Sequence, residues 1–445
     1  MTKTIKTHCS GYEKISRRDF LGSGLFGAAG LMLGQTVPQP QFTGSGVTPL
    51  PAWAPQITLA DQHTGPRGDT LVCVFLRGGA DGLNIVVPHG DDAYYDQRPT
   101  IAIARPDDVS AGNGNKVVDL NGFFGLHPAL APLHAIYSAG DMAFVQATGS
   151  PDETRSHFEA MDLMERGAIA DEHSGWLARH LGTLDTGNDS ALRAIAIGEI
   201  LPQSLSGQLS ATALSSVADY HLHGRKESAG ELAQMLQQIY AEQQNELLRA
   251  AAAQTFDALA LMRKIGREPQ ASRGRSYGDS NFGKAMQTVA QLIHAEAGVE
   301  VACVDLGGWD THVAQGGAEG LMARNLATLG QGLAAFYEDL GEKSGSVTVM
   351  VMSEFGRRIH ENGGAGTDHG HGNMMMLLGG GVNGNQVHAR WPGVHPDVQE
   401  GPGDLVITTD YRDVLGEALR KRMKNPKLNQ VFAGYTVQEN ELFAG

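Results

Sequence analysis

Four stretches of the chain are apolar at nearly every position: residues 70–76 (TLVCVFL), 141–149 (DMAFVQATG), 299–306 (VEVACVDL) and 347–353 (VTVMVMS). A strand with one face in water alternates apolar and polar residues, so unbroken runs predict strands covered on both sides. Residues 127–140 and 281–298 instead carry apolar side chains at three- and four-residue spacing and stop at Gly140 and Gly298, which predicts helices. Together these elements predict an α/β fold, a three-layer sandwich with a mostly parallel central sheet and helices on both sides. Between about 189 and 278 the pattern changes to Gln- and Ala-rich helix with Leu232, Met235, Leu236, Ile239 and Tyr240 on one stripe. That segment reads as a helical insertion over the sheet's edge, its stripe used for packing. No internal repeat is visible.

In sheets of this kind ligands bind beyond the carboxyl ends of the strands. The first run is followed by RGGADGLN, placing Asp81 in a glycine turn. The run at 299–306 is followed by GGWDTH, with Asp310 and His312, and the run at 347–353 by Glu354, Arg357 and Arg358. The loop TDHGHG, with Asp368, His369 and His371, comes within twenty residues of the last. Each has an ordinary explanation: Asp81 favours a turn, Asp310 caps a helix, His312 lies on the surface, Asp368 makes an Asx-turn, and Arg357 pairs with Glu354 or an aspartate of the rim. Their convergence on one rim points elsewhere. Carboxylates and imidazoles without cysteine are the donors of a hard or borderline divalent cation, Zn²⁺ or Mn²⁺ first, then Ca²⁺ or Mg²⁺, with soft copper disfavoured. Gly370, between the two histidines, frees the backbone to turn both towards one point. A bound ion would then hold rigid a loop without packing of its own.

Ser156 opens an apolar-periodic helix with Glu159 three residues on, which is a capping box. The same helix end gathers backbone N–H groups and suits a bound anion, so Ser156 is also a candidate nucleophile, with Thr154 a weaker substitute. Arg155 beside it offers a fork for a tetrahedral oxyanion. Two other patterns are set aside. GGGVNG (379–384) meets Pro392 before a helix could open, so a hairpin turn at Asn383-Gly384 is preferred to a dinucleotide site. His127, just before Pro128, marks a helix start.

The N-terminus changes the setting. Ser16, Arg17, Arg18, Asp19, Phe20 and Leu21 form a twin-arginine export signal, followed by a weakly apolar run to Leu33 that is too short for a membrane span. Cleavage after Ala52-Trp53-Ala54 and an earlier cut at 34–46 both stay open. Residues 1–62 therefore read as signal and leader, and 63–445 as a single domain. The expectation is a periplasmic or secreted protein carried by the twin-arginine translocase, with no stable membrane anchor. Loss of residues 1–34, with five Lys/Arg and two Asp/Glu, takes the net charge from −15 to −18. Such a surface disfavours nucleic acid and anionic lipid as partners. Cys9 leaves with the signal, while Cys73 and Cys303 read as buried core residues.

Taken in order, VFLRGGADGLN, GLHPALAPL, RSHFEAMD, GGWDTH, SEFGRR, TDHGHGN, LLGGGVNG and RWPG resemble the exported bacterial family called domain of unknown function 1501, grouped with the alkaline phosphatase and sulfatase superfamily. The resemblance implies an alkaline-phosphatase-like fold, with Asp81 as first-strand ligand, Ser156 as alkoxide nucleophile, Asp310 and His312 as ligands of one ion, and Asp368, His369 and His371 as late ligands. The chain departs from the superfamily where its strand ends in Glu354-Phe355 rather than Asp-His. Either Glu354 serves as ligand and Phe355 removes one, leaving one ion, or the pair has moved to Asp368-His369, allowing two. Ser156 also lacks the sulfatases' Cys/Ser-x-Pro-x-Arg setting. Two functions follow from the reading: a periplasmic metal-dependent hydrolase of a small anionic phosphate or related ester, and a non-catalytic exported binding or surface-assembly protein that keeps the fold.

Overall fold

The computed structural model describes residues 69–444, apart from 169–171, 189, 208–210, 218–228 and 266–275. The export signal, leader and cleavage sites lie outside the described residues. The main sheet holds β1 (Thr70–Arg77), β2 (Met142–Gly149), β3 (Ala194–Ile197), β4 (Thr212–Leu214), β5 (Val301–Gly307), β6 (Val347–Ser353), β7 (Asn373–Gly379), β8 (Gln386–His388) and β9 (Thr409–Asp410). Their order is β8-β2-β7-β6-β1-β5-β3-β4, with β9 also pairing β2. Only β7 runs antiparallel to its neighbours, so the sheet is mostly parallel, as its unbroken apolar runs require.

Both faces are covered. Val72, Val74 and Leu76 of β1 join one core with helices α5 (Asn281–His294) and α6 (Leu321–Leu340). Leu71, Cys73 and Phe75 of the same strand join the other, with α1 (His157–Arg166), α2 (Trp176–Thr183) and α7 (Tyr411–Lys421). Period-two side chains thus feed two apolar layers, giving the expected three-layer sandwich. Cys73 and Cys303 stand opposite each other on β1 and β5 as buried free thiols.

Three expectations change. The segment from about 189 opens with β3 and β4, which extend the sheet, because AIAI and TAL are too short to stand out from their surroundings. Its helices begin only at α3 (Ala229–Ala241) and continue in α4 (Glu246–Ile265). Residues 229–256 fall in a different compact unit from the sheet, and within the stripe Met235 and Ile239 are 43% and 48% exposed. Finally, Asn383-Gly384 does not close a hairpin: β7 and β8 lie on opposite sides of β2, so the turn carries the chain past that strand. No helix among the described residues is long and apolar enough to cross a membrane.

Candidate metal centre

The parallel strands β1, β2, β5 and β6 end at the same rim from which antiparallel β7 starts. Four connections therefore meet there, the one leaving β6 being the one that enters β7, and the site is built from the residues that leave those strand ends. At its centre is Asp310. Its Oδ1 lies 2.7 Å from Arg357 Nη2, 3.1 Å from His369 Nε2, 3.1 Å from His312 Nε2 and 3.5 Å from His157 Nε2. His369 sits between the other two rings, with centroids 4.4 Å from His157 and 4.6 Å from His312, and its Nε2 is 3.0 Å from His312 Nε2.

What each ring does with its other nitrogen decides the chemistry. His157 Nδ1 is 2.7 Å from Glu354 Oε1, His312 Nδ1 is 3.0 Å from Asp368 Oδ1, and His369 Nδ1 is 2.8 Å from the Arg155 carbonyl. Carboxylates and carbonyls only accept, so each Nδ1 carries a proton, and a ring with no second proton turns an Nε2 lone pair towards Asp310. With the rings in that form acceptors crowd Asp310 Oδ1, and Nε2 of His157 is buried without any hydrogen-bond partner. Acceptors at this range repel unless a cation lies among them. Donors about 2.0–2.1 Å from a tetrahedral ion stand about 3.3 Å apart, and the 3.0, 3.1 and 3.5 Å separations lie around that edge. Among the described residues, the ligand atoms that all lie within 4.8 Å of one another are those of His157, Asp310 and His369, and His312 stands outside that group on the far side of His369. The donor set fits a divalent ion, and the acceptors behind each imidazole are the supporting groups such ligands need.

Electrostatics agree with that fit. Burial works to raise the pKa of Asp310, but the hydrogen bond from Arg357, a hydrogen bond from His369 when that ring carries an Nε2 proton, and the charges of Arg357 and of a protonated His312 hold it down to about 2. Burial lowers the pKa of His369, as do the Arg357 and His157 charges, against hydrogen bonds to Asp310 and the Arg155 carbonyl. The carboxylate stays anionic and the imidazole neutral, the forms that bind a metal. Asp310 keeps 49% of its side chain exposed, so the centre is open to a ligand from solvent.

Arg357 organises the rim. Its fully buried guanidinium donates to the carbonyls of Gly79, Thr367, Gly78 and Trp309 as well as to Asp310. It is the ion pair with a rim aspartate considered from sequence. Gly78, at φ +125°, brings its own carbonyl within reach, where a Cβ would stand 2.7 Å from the Asp310 nitrogen.

The structure sorts the predicted residues into three groups. Asp310, His312 and His369 converge on one point. Asp368 and Glu354 stand one layer back: Asp368 is held by His312 and by Asn362 at 2.9 Å, which together keep its pKa low, and Glu354, 1% exposed, accepts from His157 and from the Gly78 N–H at 2.8 Å. Each faces the Nδ1 side of a histidine rather than Asp310. The third group lies elsewhere. Both oxygens of Asp81 are engaged by Arg98, at 2.6 and 3.0 Å, and Gln315 donates to it at 2.7 Å, so this buried carboxylate is committed to Arg98 and Gln315 and contacts no residue of the cluster in the hydrogen bonds it makes. His371 Nε2 points to the carbonyls of Ser150 and Asp152, pinning the 150–156 connection. Arg155 pairs its guanidinium with Asp404 and contributes to the cluster only through its carbonyl.

Two local readings are corrected as well. Ser156 does precede α1, but its hydroxyl makes no cap bond, and Glu159 instead accepts from Thr154 Oγ1 at 2.8 Å. The glycine loop is not free of packing. Gly370 N donates to Gly356 O and Gly356 N to His371 O, both at 2.9 Å, and a Cβ on Gly370 would stand 2.4 Å from the Arg357 carbonyl carbon. Gly370 is needed for close backbone approach, and its φ is not positive. His157 went unnoticed as a ligand. The signal was present, since it follows the second apolar run, β2, through a short connection, just as Asp310 follows β5. Phe355, which stood as a lost ligand, packs its ring against His157 and His369, both at 4.9 Å between centroids.

The sequence profile of the family described as "Protein of unknown function (DUF1501)" matches residues 69–412. The chain belongs to this family. The matched span contains every residue of the cluster. No curated protein matches the chain. Among solved structures it is similar to the alkaline phosphatase from the Antarctic bacterium TAB5, with a TM-score of 0.27 and 7% identity over 73% of this chain and 95% of that chain. A similarity of that degree leaves the chemistry to be argued from the residues.

Proposed function

We propose that the protein is a hydrolase of phosphate or related esters that works with one divalent ion, Zn²⁺ or Mn²⁺, held by Asp310, His369 and His157, with His312 beside Asp310 and His369. The observation that carries this reading is the buried, unpartnered Nε2 of His157 aimed at Asp310, in a set of imidazoles whose Nδ1 atoms are all occupied. Imidazole donors disfavour Ca²⁺ and Mg²⁺. The Asp81–Arg98 pair supports one ion over two, because a guanidinium already neutralises the further carboxylate. When bound, the ion supplies Lewis-acid polarisation of a phosphoryl or carbonyl oxygen and lowers the pKa of a nearby hydroxyl. Ser156 is the nucleophile in this reading: its exposed hydroxyl is not spent on a cap and directly precedes His157. The N–H groups opening the ten-residue helix α1 favour an anionic group beside it. Arg357 holds Asp310 from behind, Asp368 and Glu354 fix two rings, and the open face of Asp310 admits the ester.

The twin-arginine motif at Ser16–Leu21 supports export to the periplasm by the twin-arginine translocase, and a passenger folded before export could carry its ion with it. A second reading, a binding or surface-assembly protein, draws on the partly exposed apolar stripe of α3. Metal analysis of the purified mature protein, with turnover of aryl phosphate, phosphodiester and sulfate esters repeated on Ser156→Ala, separates the two. One ion per chain and turnover lost in Ser156→Ala uphold the hydrolase. A protein that takes up no ion and turns over none of the esters leaves the binding reading.

A further inference from the structure

Two features of the rim are not used by the metal chemistry. The first is apolar. Phe158 directly follows His157 and Val313 directly follows His312, and these side chains are 86% and 67% exposed. Val313 borders the Gly364 turn, next to Asn362, which holds Asp368. Ile200, 79% exposed, lies on the connection leaving β3, a segment tied to α1 by the Ser204 N–H on Glu165. Exposed apolar side chains that adjoin His157 and His312 along the chain are where the apolar part of a ligand would gain by burial.

The second feature is charge. Five arginines stand on or behind the rim, and each already faces a carboxylate: Arg77 with Glu165 and Asp305, Arg98 with Asp81, Arg155 with Asp404, Arg357 with Asp310, and Arg358 with Asp368. The second negative charge of a phosphate monoester would meet guanidinium groups that already have a carboxylate beside them, closely for four and at 3.9 Å for Arg358, on a chain of net charge −15. A diester brings one negative charge, which a single bound dication outweighs.

We propose that the substrate is a singly charged phosphodiester with an apolar alkyl or aryl arm, and that Phe158 and Val313 receive this arm. The inference rests on the hydrolase reading. One water is consumed: the P–O bond to one arm breaks, a P–OH forms, and the departing oxygen takes up a proton.

The test uses the metal-loaded mature protein with 4-nitrophenyl methyl, butyl and octyl phosphates, alongside the dianion 4-nitrophenyl phosphate. Calorimetric binding of methyl and octyl phosphonate monoesters gives a readout without turnover. The expected result is a kcat/KM that rises about two- to threefold per methylene over the first carbons, with phosphonate affinity following the same trend. The dianion should fall at least about tenfold below the octyl diester. In a Phe158→Ser/Val313→Ser double variant, whose two sites are exposed and whose fold is checked by circular dichroism, the slope against chain length drops towards zero. Metal-dependent turnover with no chain-length slope, or with the dianion preferred, overturns the inference and leaves the hydrolase standing. A slope that survives in the double variant overturns the assignment to these two residues. Absence of turnover with every ester removes the hydrolase reading and this inference with it.

Discussion

Asp81 and Asp310 begin alike. Each follows a parallel strand of the same sheet by a short glycine-containing turn, and each meets an arginine. The outcome differs because of how the arginine arrives. Arg98 grips both oxygens of Asp81, with Gln315 behind them, and leaves the carboxylate 1% exposed and saturated. Arg357 reaches Asp310 through one nitrogen while spending its other donors on backbone carbonyls, so Asp310 stays anionic, half exposed and surrounded by lone pairs. A fork-to-fork pair ends a carboxylate's chemistry, and a single contact from behind preserves it.

The largest expected effects exchange the two acids. Asp81→Asn should keep its ion but lose about 3–5 kcal/mol of stability in urea unfolding, since it strands a buried guanidinium. Asp310→Asn should lose metal affinity by more than about 100-fold while unfolding close to the parent in the metal-free state. Reversed outcomes would break the contrast. Acid sharpens it next, through His127, which is buried near Asp81, accepts from Ala129 N and faces the Gly317 carbonyl. Burial, against the Gly317 hydrogen bond and the Asp81 charge, lowers its pKa from 6.5 to about 4. The unfolded chain then binds a proton that the folded chain refuses. Stability is full above the unfolded pKa and falls as pH drops towards 4, by about 3 kcal/mol from this group. Urea curves at pH 7 and 4.5 on the parent and His127→Asn should show a smaller loss in the variant; equal losses would mean His127 is charged in the fold.

A smaller effect belongs to the layer behind the metal centre. Glu354→Gln keeps an acceptor near His157 Nδ1 but removes its charge, so metal affinity should fall about tenfold by competitive chelation, well short of Asp310→Asn. An equal loss would make Glu354 a ligand. The smallest effect is on Ser156, where Ser156→Ala should change stability by less than about 0.5 kcal/mol because no cap bond is lost. A drop of about 1 kcal/mol or more would show that the hydroxyl caps α1 in solution.

Much of the centre was legible because the sequence marks strand ends clearly. Apolar runs stopping at glycine turns placed Asp310, His312, Glu354 and His369 on one rim, and the structure does bring them there. What failed was the assignment of layers. Asp368 and His371 share a loop with His369, yet one props a histidine and the other ties down the 150–156 connection. Neither spacing nor residue type distinguishes a carboxylate that binds from one that supports. His157 was hidden for a different reason: it stands inside a helix start whose apparent capping box gave a sufficient local explanation.

The order of apolar and polar positions by itself determined the layered α/β fold, the rim on which chemistry collects, and the kinds of donor available there. These are properties of short stretches, fixed by which faces must leave water. Tertiary structure alone decided which aspartate was neutralised, which acceptor each imidazole Nδ1 meets, and that Gly370 serves close packing. Those outcomes depend on partners tens to hundreds of residues away, such as Arg98 for Asp81 and Glu354 for His157, and a hydrogen bond is set by the distance between atoms in space.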